Sequence, residues 1–169
     1  MKTKILLTAG LSLALLLCMS WIYTGATAQP PSFAQRLVGT WEVTLRLPAC
    51  TFSCPCPPAV GPDTFTPALQ TYSGDGTMEE VYGGSLLLVR SDALGSWEHV
   101  GGQQYSARYK FFVLNPTSGE RIFTEVVTSN IELQGRDAFE ATATFNLFEA
   151  DGVTPVHLGC PIEVTGRRF

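Results

Sequence analysis

The sequence predicts an all-β protein, an antiparallel up-and-down barrel of eight or nine strands, and three observations predict it. Apolar and polar residues alternate with a period of two over several long runs, the mark of strands with one buried face. Short turn signals separate those runs: Ser73 to Thr77, Gly101-Gly102, Asn115 to Gly119, Gln134 to Asp137 and Glu149 to Gly152. No helical period survives beyond the N-terminal stretch. Strands of about 10 to 14 residues joined by tight hairpins suit an up-and-down barrel better than a Greek-key sandwich.

The chain opens on Lys2 and Lys4, then an apolar run from Ile5 to Leu17, then Ala26-Thr27-Ala28. A positive start, a short apolar core and a small-x-small site read as a secretory signal peptide over 1–28. The run is shorter than the roughly 20 residues that cross a bilayer, so no stable membrane span is expected after cleavage. A retained anchor and an acylated Cys18 are the alternatives. Residues 29–169 are expected to form a single domain, secreted or periplasmic.

Trp41, Val43, Leu45 and Leu47 alternate with Glu42, Thr44 and Arg46 as the first strand, after a short capping turn over Ser32 to Arg36 with Phe33 and Leu37 as its apolar contacts. Residues 48–67 hold six prolines (48, 55, 57, 58, 62 and 67) and three cysteines. Proline cannot donate to a ladder, so this reads as a long Pro/Cys-rich loop. Strands follow at Ala68 to Ser73, Thr77 to Tyr82, Ser85 to Arg90 and Gly95 to Val100. Tyr105, Ala107, Tyr109, Phe111 and Val113 then face one way. Arg121 to Leu133 continues the meander, Phe139, Ala141, Ala143, Phe145 and Leu147 face inward on the next strand, and a last strand covers roughly Val156 to Arg168. Gly95-Ser96-Trp97 repeats the spacing of Gly39-Thr40-Trp41, which is read as chance.

Eleven basic residues less Lys2 and Lys4 leave nine against fifteen acidic ones, a formal charge of −6 after cleavage. A mildly acidic chain with no basic cluster argues against nucleic acid and against anionic membrane surfaces as partners. Four cysteines remain: Cys50, Cys54, Cys56 and Cys160. An even count in an exported chain reads as disulfides, with three connectivities open.

Gly39-Thr40-Trp41 on the first strand after a capping turn, with Arg167 or Arg168 on the last, resembles the lipocalins and the wider calycin superfamily. The resemblance implies that Trp41 plugs one end of the barrel, that an arginine from the last strand lies across its indole, and that Gly39 lets the backbone pass closely. A guanidinium on an indole adds a cation–π contact of roughly 0.5–2 kcal/mol while its donors stay free to cap carbonyls. With Trp41 opposite Arg168 in an antiparallel seam, Val164, Ile162 and Cys160 share the inward face, and Cys160 falls opposite Ala49. A Cys50–Cys160 disulfide pinning the seam is then expected. Barrel cyclases of the allene oxide cyclase type have similar ends.

Chemistry-bearing motifs are sparse. His99 and His157 lie far apart and outside any ligand spacing, so neither metal nor cofactor is expected. Cys54-Pro55-Cys56 reads as a staple. The stretch from Ser73 to Glu80 lacks the lysine and helix of a phosphate loop, and no Gly-x-Ser-x-Gly elbow is present. Glu98, Glu125, Tyr105, Tyr109 and His99 are the acid–base candidates a lumen could hold.

Small inward residues between aromatic ones leave volume unfilled, as a container requires. The expected function is therefore non-covalent binding of a small hydrophobic molecule, with Tyr105, Tyr109, Phe111, Phe139, Phe145 and Trp97 as pocket walls and the 48–67 loop as a lid. A cofactor-free cyclase or isomerase acting on an apolar substrate is the alternative from the enzyme class. A filled barrel serving structure or protein interaction is the third reading. Oligomeric state stays open.

Overall fold

The computed structural model describes residues 32–47, 65–83 and 89–169. The expected signal segment, Cys50, Cys54, Cys56 and most of the Pro/Cys-rich loop lie outside these residues. A single 3-10 turn, Phe33–Gln35, precedes nine strands: β1 (Gly39–Arg46), β2 (Phe65–Tyr72), β3 (Thr77–Tyr82), β4 (Val89–Arg90), β5 (Ala93–Gly101), β6 (Gln104–Leu114), β7 (Arg121–Leu133), β8 (Ala138–Glu149) and β9 (Pro155–Arg168). No helix among the described residues is long and apolar enough to cross a membrane.

Eight of the strands close a ring, β1-β2-β3-β5-β6-β7-β8-β9 and back to β1, every pair antiparallel; β4 is an extra two-residue strand on β6. Closure leaves no free sheet edge to manage. The closing seam carries the expected register, with Trp41 opposite Arg168 and Leu45 opposite Val164. Val164, Ile162 and Cys160 are all buried on the inward face.

Strand bounds follow the alternation closely in the second half of the chain, where each hairpin has its turn chemistry in the sequence. In the first half one expectation needs correction. β2 begins at Phe65, inside the segment read as loop, and Pro67 sits within it opposite Thr44. The Pro67 carbonyl accepts from Gly83 N at 2.9 Å. A residue's N–H and C=O point to the same neighbouring strand, so the missing donor faces the end of the β2–β3 ladder, where it costs least. Of the strand expected over Ser85 to Arg90, Val89–Arg90 is strand and residues 85–88 lie outside the described residues.

Ser91 and Asp92 form a bulge between β4 and β5, both of which run along β6. Ser91 holds the interrupted ladder together: its N donates to Phe112 O at 2.9 Å and its Oγ accepts from Phe112 N at 3.0 Å. One inserted residue shifts the parity. Arg90, opposite inward-facing Val113, therefore turns into the barrel rather than out of it.

One end of the cylinder is plugged. Trp41 is fully buried, donates from Nε1 to Leu37 O at 2.8 Å and meets Phe139 edge-on at 5.1 Å. The Arg168 guanidinium lies 4.3 Å from the indole, and its Nη1, Nη2 and Nε donate to the carbonyls of Val38, Arg36 and Arg136 at 2.9, 2.5 and 3.2 Å. Gly39 makes room for that guanidinium rather than for passing backbone. It adopts φ +132°, which favours glycine, and a Cβ there would stand 2.7 Å from Arg168 Nη1. Arg167 is the correction: it points outward opposite Glu42 and closes nothing. Of the two expected contacts of the capping turn, Leu37 is buried but Phe33 is 47% exposed under the Arg36 side chain.

Candidate functional site

The interior changes character along the barrel axis. At the plugged end the inward residues are almost wholly buried: Trp41, Tyr72, Tyr105, Leu133 and Phe139. At the other end, where β1 and β3 finish and the β6–β7 and β8–β9 turns lie, the inward residues Leu45, Tyr82, Phe123, Glu125, Phe145 and Leu147 are only partly buried. Between these two zones sits a polar cluster.

The cluster is assembled from β2, β3 and β4. Tyr72 Oη donates to Gln70 Oε1 at 2.6 Å, and Gln70 Nε2 donates to Glu80 Oε2 at 2.6 Å. The other Glu80 oxygen is held by Arg90 Nη2 in an ion pair whose side chains are 0% and 6% exposed. Arg90 is itself sandwiched between the rings of Tyr82 and Phe111, with centroids 4.2 and 3.9 Å from its guanidinium carbon. Such stacking suits a guanidinium, which is planar and weakly hydrated. Arg90 Nε is buried and has no hydrogen-bond partner among the described residues.

A second carboxyl faces the same space. Glu125 on β7 stands opposite Phe111 on β6, and Tyr109 stands opposite Val127. Glu125 and Tyr109 are thus diagonal neighbours on the inward face. Burial raises the Glu125 carboxyl from its ordinary value to about 7; Arg90 opposes this shift and Glu80 adds to it. Burial likewise pushes the Tyr109 phenol well above its usual range, reinforced by Glu80 and Tyr72. Tyr72 is raised by burial first and Glu80 second. Arg90 already serves Glu80, so among the described residues Glu125 has no dedicated counter-ion and is easiest to bury neutral.

A raised carboxyl stabilises the fold most when protonated. Its contribution is present below the ordinary carboxylate range and is lost as pH climbs to about 7. The loss should be on the order of 2–3 kcal/mol. Denaturant titrations between pH 4.5 and 8 should record it, and Glu125→Gln should flatten that segment of the profile. A wild-type profile that rises across this window would refute the assignment.

The expected pocket residues divide between the two zones. Tyr105, Trp97 and Phe139 belong to the plug. Tyr105 Oη donates to Phe33 O, and Trp97 Nε1 donates to Ser73 O at 2.9 Å while its ring meets Tyr72 edge-on at 6.1 Å. Tyr109 and Phe111 line the polar cluster, and Phe145 lies nearer the partly buried end, opposite Cys160. Cys160 is buried; its expected partner Cys50 lies outside the described residues. Glu98 is exposed, and His99 sits at the plugged rim with Nε2 3.0 Å from Gly102 O. His157 stands opposite Leu147 on the seam between β8 and β9.

Glu80, Arg90, Gln70 and Tyr72 escape the sequence reading. Their signal was parity: Ala68, Gln70 and Tyr72 share one face of β2, and Met78, Glu80 and Tyr82 share one face of β3. The outward face obscured it, because Leu69, Val81 and Leu94 are 39%, 52% and 65% exposed. Here polar residues point in and apolar ones out, against the usual binary pattern. A groove of about 560 Å³ lies on the outer wall among Glu42, Thr44, Glu140, Thr165 and Arg167, away from the cluster. Comparison with protein-family models, with curated proteins and with solved structures gave no match.

Proposed function

We propose that this barrel is a lipocalin-like carrier that holds one small, largely apolar molecule non-covalently in the half of the lumen away from the Trp41 plug. The supporting observation is the gradient along the inward face: residues at the plugged end are sealed, while Leu45, Phe123, Phe145 and Leu147 at the other end keep accessible apolar surface. Small inward residues support it too: Ala141 and Ala143 precede Phe145 on β8 and Ala107 lies between Tyr105 and Tyr109 on β6, a mix of small and large side chains that suits a container. Family membership rests on the Trp41–Arg168 clasp. Export to the periplasm or the outside rests on residues 1–28, and a Cys50–Cys160 disulfide rests on the seam register that brings Cys160 toward the end of β1.

Native mass spectrometry of the protein purified from its own host tests this reading. The expected spectrum carries an adduct of a few hundred daltons, on the order of a pocket-sized ligand, that denaturation releases. A bare mass, together with no uptake of apolar dyes by the purified protein, would sink it in favour of a filled interaction module. A second reading has one observation in its favour. A lumen carboxyl near neutrality beside a buried tyrosine is the equipment of an acid–base isomerase or cyclase. Recovery of a chemically altered product after incubation with an apolar polyene would select it over carriage.

A further inference from the structure

Resting on the reading that the lumen takes an apolar guest, we propose that the guest carries a neutral hydrogen-bond-accepting oxygen, a ketone or aldehyde carbonyl, which Glu125 and Tyr109 grip from adjacent strands. Their side chains project from β7 and β6 at diagonal positions on one inward face, at the boundary between the sealed and the accessible zones. Two donors converging on one oxygen in an apolar wall are how such pockets orient a ligand.

The rest of the polar cluster is already spoken for. Tyr72 donates to Gln70, Gln70 donates to Glu80, and Arg90 is paired to Glu80. The charges acting on Glu125 are Arg90 on β4 and Glu80 on β3, of opposite sign, with Arg90 the larger influence and burial outweighing both. Tyr109 comes from β6, Leu147 stands opposite on β8, and His157 lies beside Leu147 on β9. A carboxylate guest would add a buried negative charge with no unpaired cation among the described residues of the cluster to match it, whereas a carbonyl adds none. Below neutrality the Glu125 carboxyl keeps its proton and can donate it in a hydrogen bond. The unpartnered N–H of Arg90 deepens the preference for an acceptor in this region.

The test compares three probes on the full-length purified protein: β-ionone as an apolar ketone, its oxygen-free hydrocarbon analogue, and a carboxylic acid on the same ring and chain. Affinities are read by calorimetry at pH 6 and pH 8.5. The ketone should bind about tenfold tighter than the hydrocarbon at pH 6, as two added hydrogen bonds imply, and should lose most of that advantage at pH 8.5. Glu125→Gln, whose amide donates at any pH, should keep the ketone's advantage at both values and so separates Glu125 from His99 and His157. Tyr109→Phe should reduce ketone affinity several-fold and leave hydrocarbon affinity unchanged. Equal binding of ketone and hydrocarbon, or tighter binding of the acid than of the ketone, overturns the carbonyl grip and leaves the apolar lumen standing. Failure of all three probes to bind overturns the lumen reading and this inference with it.

Discussion

Arg90→Met is expected to destabilise the barrel by about 3–5 kcal/mol. Methionine replaces most of the buried volume between the Tyr82 and Phe111 rings, so packing alone predicts a small loss. The large term is electrostatic. Glu80 is completely buried, and without Arg90 its carboxylate keeps only the Gln70 amide as a hydrogen-bond donor among the described residues. An unpaired charge in such a place costs several kcal/mol, because the interior cannot replace the water it has lost. Glu80→Gln combined with Arg90→Met should recover most of the loss, since removing both charges of a buried pair is close to neutral. Chemical denaturation of the two single variants and the double variant closes the cycle. A single-variant loss below about 1 kcal/mol would mean that the pair is better solvated than its burial indicates.

Trp41→Ala should cost a similar amount, about 3–5 kcal/mol, by a different route. The indole fills the barrel end against Phe139 and gives the Arg168 guanidinium a face to lie on. Its removal leaves a cavity, an unpaired Leu37 carbonyl and an arginine whose three carbonyl contacts lose their support. For a domain of this size the melting temperature should fall by roughly 10–20 °C. Trp41→Phe, which keeps the ring stack and loses the indole N–H, should fall between the two. Because Trp41 packs on Phe139 and Arg168 whereas the guest is proposed to meet Glu125 and Tyr109 on β7 and β6, guest affinity measured well below the new melting point should stay within about threefold of wild type. A stability change too small to resolve would remove the plug from the account of this fold.

Much of the barrel is legible in the sequence because alternation and turn chemistry are local. β6, β8 and β9 can each be traced from their own residues, since a strand with one buried face repeats every two positions whatever lies across from it. β7 is placed by its turns, but its parity is ambiguous from the sequence. The seam register followed from the resemblance, which implies a terminal arginine across Trp41 and so sets Trp41 opposite Arg168. The site was less legible. Tyr109, Phe111 and Glu125 could be named as lumen candidates, but Tyr105, four residues before Tyr109 on the same face of β6, belongs to the plug.

What the chain decides by itself is therefore which residues share a face, and for most strands that is enough to specify a closed all-β meander. The tertiary structure alone decided where along the axis each inward residue falls and which of them meet. Arg90 makes the difference concrete. Strict alternation back from Ala93 would send it outward, and only the bulge at Ser91–Asp92, visible once β4 and β5 are both laid along β6, turns it inward onto Glu80. Periodicity is a property of one strand's backbone; an ion pair between strands depends on register and closure, which no single strand encodes.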